Sequence, residues 1–427
     1  MLDRRKTAGA AFVALATAST LALTLTPAQA DFSPQPNDVV STGSDIIQNS
    51  FNFLADGYHE LPGYNTAGNR WRFVNFDSSG DAQGRSAYSD PRLLPTITGN
   101  GTLGENGTKY VKQDDVKLLN PTISLRAGQD LVVRPSGGGG GGRDAIINDD
   151  LGWIDVGRSP DPLNDTHQNT AQSKQGTKLI RVQIATDRQL IATSTTTNAP
   201  ATISASDILK IYSGTITKWS QVTGYSGSAG DETIIPLILP TDAGMWNTFL
   251  ANVKRQNPGN DGFTGRSNPN QIQVQQNDPT AITGLTPELR KNAIVPFPRG
   301  RFRTLNTGYY TATGTTNAYN TETGHRTATT AAGIQLLDGD TNTDVNQPTA
   351  PYGGNFAYNA IVRERDLNST TPWQPGSTLN WVKALFYNPG GPKPFVRTPA
   401  GEQLLTAAGV TPNYHVFGTN NAEIETD

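Results

Sequence analysis

Leu131-Val132-Val133-Arg134-Pro135-Ser136, the six glycines Gly137 to Gly142, and Arg143-Asp144-Ala145-Ile146-Ile147 form the stretch that decides the architecture. An apolar, strand-like run enters a glycine turn and leaves it with helical spacing. Glycine has no Cβ, so such a turn can present backbone N–H groups to a ligand at little steric cost. A helix start adds unpaired N–H groups and the positive end of a dipole. The combination is a candidate anion cradle. Taken alone, the glycine run reads first as a flexible linker, so what matters is whether the unit recurs.

It recurs twice. Asp38-Val39-Val40 leads through Ser41-Thr42-Gly43-Ser44-Asp45 into Ile46 to Leu54, where Ile46, Ile47, Phe51 and Leu54 fall near helical spacing. Ser44 or Asp45 is the expected N-cap of that helix. Ile234 to Pro240 is a buried-strand pattern that runs through Thr241-Asp242-Ala243-Gly244 into a helix over Met245 to Val253. Further strands are expected at Trp71–Phe76, in Gly152–Pro160, at Ile180–Ile184, Leu190–Thr193, Ala293–Phe297 and Phe356–Val362. Further helices are expected from the capping residues before Ile208 to the stop at Gly214, over Ser377–Phe386, and over Thr398–Ala408 before Gly409. Strands alternating with helices predict an α/β fold. In open α/β sheets, ligands sit at the carboxyl ends of strands, where these turns lie.

The totals narrow the function. The 427 residues suit two or three compact units or one large two-lobed protein. The N-terminus has export-signal form: Arg4-Arg5-Lys6, the mostly apolar Ala8 to Leu25, then Ala28-Gln29-Ala30, so residues 1–30 read as a signal peptide. Sec and twin-arginine export are both left open. The mature chain, from about Asp31, holds 31 basic and 36 acidic residues, which argues against general nucleic-acid binding. No later stretch approaches the roughly 20 apolar residues of a membrane span, so an extracellular or cell-surface protein without membrane insertion is expected. Cysteine is absent, which removes disulfides, thiol nucleophiles, thiolate metal sites and a lipidated cysteine at the cleavage site.

Catalytic signatures are missing. His59, His167, His325 and His415 are scattered without ligand spacing. Asp338, Asp340, Asn342 and Asp344 alternate, but the glycine and distal glutamate of a calcium loop are lacking, so a solvated turn is expected. Gly99 to Gly104 matches G-x-G-x-x-G without a following helix and reads as a loop. No G-x-S-x-G elbow or P-loop lysine is present, and no carboxylate pair stands out. The chain is therefore expected to be no enzyme and to use no cofactor or metal, with a secreted hydrolase as the remote alternative.

Ser206-Asp207-Ile208-Leu209-Lys210-Ile211-Tyr212-Ser213-Gly214-Thr215-Ile216-Thr217-Lys218-Trp219 resembles the signature helix and turn of the phosphate-binding proteins of ABC importers. Other pieces follow in that family's order. Gly43-Ser44-Asp45 resembles its first ligand loop, Pro135-Ser136 with the glycines its second, and Val156-Gly157-Arg158-Ser159-Pro160 its third. Pro240 to Met245 takes the place of its fourth loop, and Ala293 to Phe297 resembles the strand that follows. The resemblance spans about residues 38 to 410.

It implies a two-lobed type II periplasmic-binding-protein fold, each lobe a mixed sheet flanked by helices. Lobe 1 would be residues 31–185 plus 301–427, with loop-rich insertions at 57–120 and 303–350, and lobe 2 residues 186–300. The ligand would be phosphate or a similar small oxyanion, lined by Ser44, Ser136, Gly137, Arg158, Ser159, Asp242, Ala243 and Gly244. The protein would be a monomer, with an ABC permease as a partner the resemblance suggests. Two departures bear on the site. The family's ligand arginine falls near Pro240, so Arg158 is the candidate replacement, and the hydroxyls of the fourth loop are lost at Gly244-Met245-Trp246. Asp242 keeps its place and would accept a proton from hydrogenphosphate, disfavouring fully ionised sulfate. A diffusible surface or matrix protein with a degenerate cleft is the competing reading.

Overall fold

The computed structural model describes residues 34–58, 60–67, 71–76, 102–103, 109–110, 122–123, 125–126, 132–133, 141–149, 152–241, 243–274, 276–306, 333–337, 346–368 and 380–426. The expected signal peptide at residues 1–30, Ser136 to Gly140, Asp242 and the acidic run at 338–344 lie outside the described residues.

The chain enters the sheet at β1 (Val39–Gly43), crosses through α1 (Gln48–Asp56) and returns as β2 (Phe73–Asn75). Then come α2 (Gly141–Ile147), β3 (Val156–Ser159) and α3 (Asp165–Gln175). β4 (Leu179–Ser194) leads to α4 (Ala205–Ser213), β5 (Ile235–Ile238) and α5 (Gly244–Gln256). β6 (Ile272–Gln273), β7 (Ala293–Pro298), α6 (Arg299–Asn306) and β8 (Ile334–Leu336) follow. β9 (Gly354–Arg363), α7 (Pro399–Ala407), β10 (Thr411–Phe417) and β11 (Glu423–Thr426) close the chain.

These strands join one mixed sheet. Its order is β2-β1-β3-β9-β4-β7-β5-β6, continued by the two-residue strands Lys109–Tyr110 and Thr102–Leu103. β1 runs parallel to β2 and β3, and β5 runs parallel to β6 and β7, as helical crossovers require. The two parallel groups are joined through antiparallel β9 and β4.

β4 replaces the two strands expected at 180–184 and 190–193. It continues through polar Asp187 and Gln189 because their side chains are satisfied inside the protein. Asp187 accepts from Gly300 N at 2.9 Å and from Tyr358 Oη at 3.1 Å. Gln189 donates to Met245 O at 2.8 Å and accepts from Tyr352 Oη at 2.5 Å.

The apolar core lines both sides of β4. Phe51, Phe73 and Phe386 form one aromatic group, and Tyr212, Trp246 and Phe249 another. Each such ring contributes about 1.5–3 kcal/mol by leaving water. α4 forms as its caps predict. Ser204 accepts from Asp207 N at 3.0 Å, and Gly214 at φ +84° ends the helix in the left-handed region that glycine tolerates.

Three expectations change. The first helix starts at Gln48 with Ile47 as its uncapped first position, so neither Ser44 nor Asp45 caps it. Asp45 instead turns its carboxylate towards Gln276 and Asn277. Thr102–Leu103, inside the expected loop 99–104, pairs antiparallel with Lys109–Tyr110. The last two glycines of the hexaglycine run belong to α2 itself.

Candidate functional site

Because β1, β2 and β3 are parallel, their carboxyl ends meet at one end of the sheet. Gly43 pairs with Arg158 across β1–β3, and Asn75 closes β2 beside Ser41. Three glycines allow the pieces to close on one another. A Cβ on Gly142 would lie 2.1 Å from Arg158 O, and one on Gly157 would lie 2.3 Å from Gly142 O. Gly43, at φ +122°, would place a Cβ 2.4 Å from Gly142 Cα. The first turn of α2 is thus pressed against the β1 turn and the backbone of β3, and only glycine fits.

Arg158 is fully buried beneath this junction. It donates from Nη2 to Gly43 O at 3.0 Å, from Nε to Ser44 O at 3.3 Å, and from Nη1 to Ser41 O at 3.3 Å and to Asn75 Oδ1. Asn75 is itself held, donating to Gln48 O at 2.9 Å and Asn52 Oδ1 at 2.6 Å. Arg158 is therefore a strut under the Ser44 turn, a role its sequence position does not reveal.

Ser44 N donates to Arg158 O at 3.1 Å, while Ser44 Oγ is buried and makes no hydrogen bond among the described residues. Ser159 is also buried, and its Oγ accepts from Asp161 N at 3.1 Å. Burial raises the Asp161 carboxyl above its ordinary range, partly offset by Arg143, which approaches to 4.0 Å.

The structure brings Ser44, Arg158 and Ser159 together. Ala243 and Gly244 open α5 in a separate turn, with Ala243 as an N-cap that lacks a side-chain cap. Ser136, Gly137 and Asp242 lie outside the described residues.

A second polar group adjoins the Ser44 turn. Asp45 is buried and accepts from Gln276 Nε2 at 2.6 Å and Asn277 Nδ2 at 3.1 Å. Arg301 donates to Asn277 O at 3.1 Å. Tyr358 Oη lies 3.1 Å from both Ile46 O and Asp187 Oδ2. Burial pushes the Asp45 and Asp187 carboxyls up to about 7, against opposing hydrogen bonds and nearby arginines. Nothing in the sequence paired Asp45 with residues some 230 positions away.

Among the described residues, no group of three or more His, Asp or Glu could hold a metal ion. His167 instead closes a capping box on α3, and His415 contacts Glu423 and Asn413. No described helix is long and apolar enough to cross a membrane.

Parallel strands whose carboxyl ends meet a glycine-rich helix start define an α/β protein, in which such turns are the usual place of ligands. Residues 108–348 match a family model described as a PBP superfamily domain, which covers more than half of the chain. The chain belongs to that superfamily.

Solved structures with similar architecture include a high-affinity periplasmic phosphate-binding protein, PfluDING, bound with phosphate (13% identity, 88% of this chain and 90% of that chain, TM-score 0.43). A phosphate-binding protein from Stenotrophomonas maltophilia shares 9% identity over 88% of this chain and 91% of its own, at TM-score 0.38. An ABC-type phosphate transport receptor from Vibrio cholerae shares 12% identity over 64% and 85%, at TM-score 0.37. No curated protein matches the chain.

Proposed function

We propose that this chain is a secreted solute-binding protein that captures phosphate or a similar small oxyanion, without catalysis. The observation that carries this reading is Ser44 Oγ, a buried hydroxyl without a hydrogen bond among the described residues, in the turn whose carbonyl Arg158 holds. A buried hydroxyl without a hydrogen bond costs free energy that a bound oxyanion would recover. Ser44, Ser159 and backbone N–H groups at Ser136 and Gly137 donate to the anion. Arg158 supplies positive charge from below, the opening of α5 at Ala243-Gly244 adds backbone donors, and Asp242 accepts the proton of hydrogenphosphate. The lobes are 31–185 plus 301–427 and 186–300, and residues 1–30 are removed on export to the cell exterior. An ABC permease is the partner of a protein that delivers its ligand, and the binding protein acts as a monomer.

Asp242→Ala tests the selectivity arm of this reading. Equilibrium binding with labelled phosphate in competition with sulfate is expected to show lost preference for phosphate in the variant. Unchanged affinity and unchanged competition would contradict the role of Asp242. A second reading, an extracellular surface protein with a degenerate cleft, draws on Arg158, whose guanidinium donates to the carbonyls of Gly43, Ser44 and Ser41. It predicts indifference to both anions.

A further inference from the structure

Ser44 Oγ is buried, so an anion reaches it only when the Ser44 turn moves. Arg158 holds that turn on one side and its neighbour Asp45 on the other. We infer that Asp45 is a positioning residue, a proton-sensitive pin that fastens the Ser44 turn to the 276–277 segment, and that raising the pH releases it. The pin bears on the proposed function only by controlling access to Ser44, and it exists without any ligand.

The geometry is specific. Both carboxylate oxygens of Asp45 are used, one by Gln276 Nε2 at 2.6 Å and the other by Asn277 Nδ2 at 3.1 Å. Asn277 holds φ +61°, a left-handed conformation uncommon for a residue with a side chain, and Arg301 Nε fixes its carbonyl at 3.1 Å. The partner segment is therefore fixed through its own backbone, and Asp45 ties to it a Ser44 turn that Arg158 grips on its other side.

The charges around Asp45 set the direction. Arg301 faces it from α6, Tyr358 from β9 and Asp187 from β4 through Tyr358, while Gln276 and Asn277 are neutral. One arginine and neutral amides do not offset the cost of burying the charge, and the carboxyl titrates at about 7. A released, solvated Asp45 regains an ordinary carboxylate value near 4. The pinned state thus takes up a proton between those values, so acid favours the pin and alkali opposes it. The protonated form also has a place for its proton. Asn277 Oδ1 is buried without a partner among the described residues, and a flip of that amide puts it opposite the Asp45 hydroxyl.

Hydrogen exchange on the phosphate-free mature chain tests this. After correction for intrinsic rates, the Ser44–Ile47 amides are expected to open roughly tenfold or more readily at pH 8.5 than at pH 5. Asp45→Asn is expected to abolish that dependence, whereas Asp187→Asn keeps it. Asn277→Gly retains the left-handed backbone, removes the amide, and is expected to speed exchange of the same segment at pH 5. That variant serves as the readout if Asp45→Asn does not fold. Equal opening at both pH values in the wild type, or a dependence that survives Asp45→Asn and disappears in Asp187→Asn, would overturn the inference. Because phosphate is absent, failure of the phosphate reading leaves this result untouched.

Discussion

Ser44 and Arg158 grip one another reciprocally: Ser44 N donates to Arg158 O at 3.1 Å, and Arg158 Nε donates back to Ser44 O at 3.3 Å. The grip sets the turn after β1 against the carboxyl end of β3. Arg158→Lys leaves a single amine where three nitrogens now serve the carbonyls of Ser41, Gly43 and Ser44. The variant is expected to lose about 1–3 kcal/mol in urea unfolding, the cost of buried carbonyls left without donors. An unchanged midpoint would remove Arg158 as the strut.

Gly142→Ala is expected to destabilise the chain by about 1–3 kcal/mol or to prevent folding, because the added Cβ meets backbone and not a movable side chain. Gly262, with nothing within 4 Å of its Cβ position, is the matched control, and Gly262→Ala should leave the thermal midpoint unchanged. Equal midpoints for the two variants would contradict the close approach of α2.

Arg126 and Asp155 form a buried ion pair at 2.6 Å that also anchors β1, since Asp155 accepts from Val40 N at 2.7 Å and Arg126 donates to Asp38 O at 2.6 Å. Removing one partner leaves an uncompensated buried charge, so Arg126→Met is expected to cost about 3–5 kcal/mol. Arg126→Met combined with Asp155→Leu should recover much of that loss, read by chemical denaturation.

Asp45 and Asp187 both titrate at about 7 in the folded chain, above the ordinary carboxylate value. The folded state therefore binds more protons than the unfolded state between roughly pH 4 and 7. Their contribution is fully present below pH 4 and lost as pH rises through 7. Asp187→Asn should flatten the fall in stability between pH 5 and 8, measured by urea midpoints across that range. A wild-type stability that does not fall over this window, or a fall that Asp187→Asn does not alter, would contradict the assignment.

The α/β class was legible because strand, turn and helix repeat in sequence, and α4 was legible from Ser204 and Gly214 because capping chemistry is local. The length of β4 was not, since Asp187 and Gln189 look like a strand break until Gly300, Tyr358, Met245 and Tyr352 supply their partners. The turn after β1 that holds Ser44 was legible from its small polar residues, but the role of Arg158 as a strut was hidden, because the carbonyls it serves lie more than 110 residues away in the chain. Asp45 was misread as a cap for the same reason. A short acidic residue before a helix satisfies the local rule, and the competing amides of Gln276 and Asn277 are visible only in three dimensions.

Calorimetric titration of phosphate into the chain expressed from Asp31 tests the central claim most directly. A saturable single-site heat is expected, weakened by Ser44→Ala without loss of the folded state. No heat at millimolar phosphate, with the fold intact by circular dichroism, would contradict it.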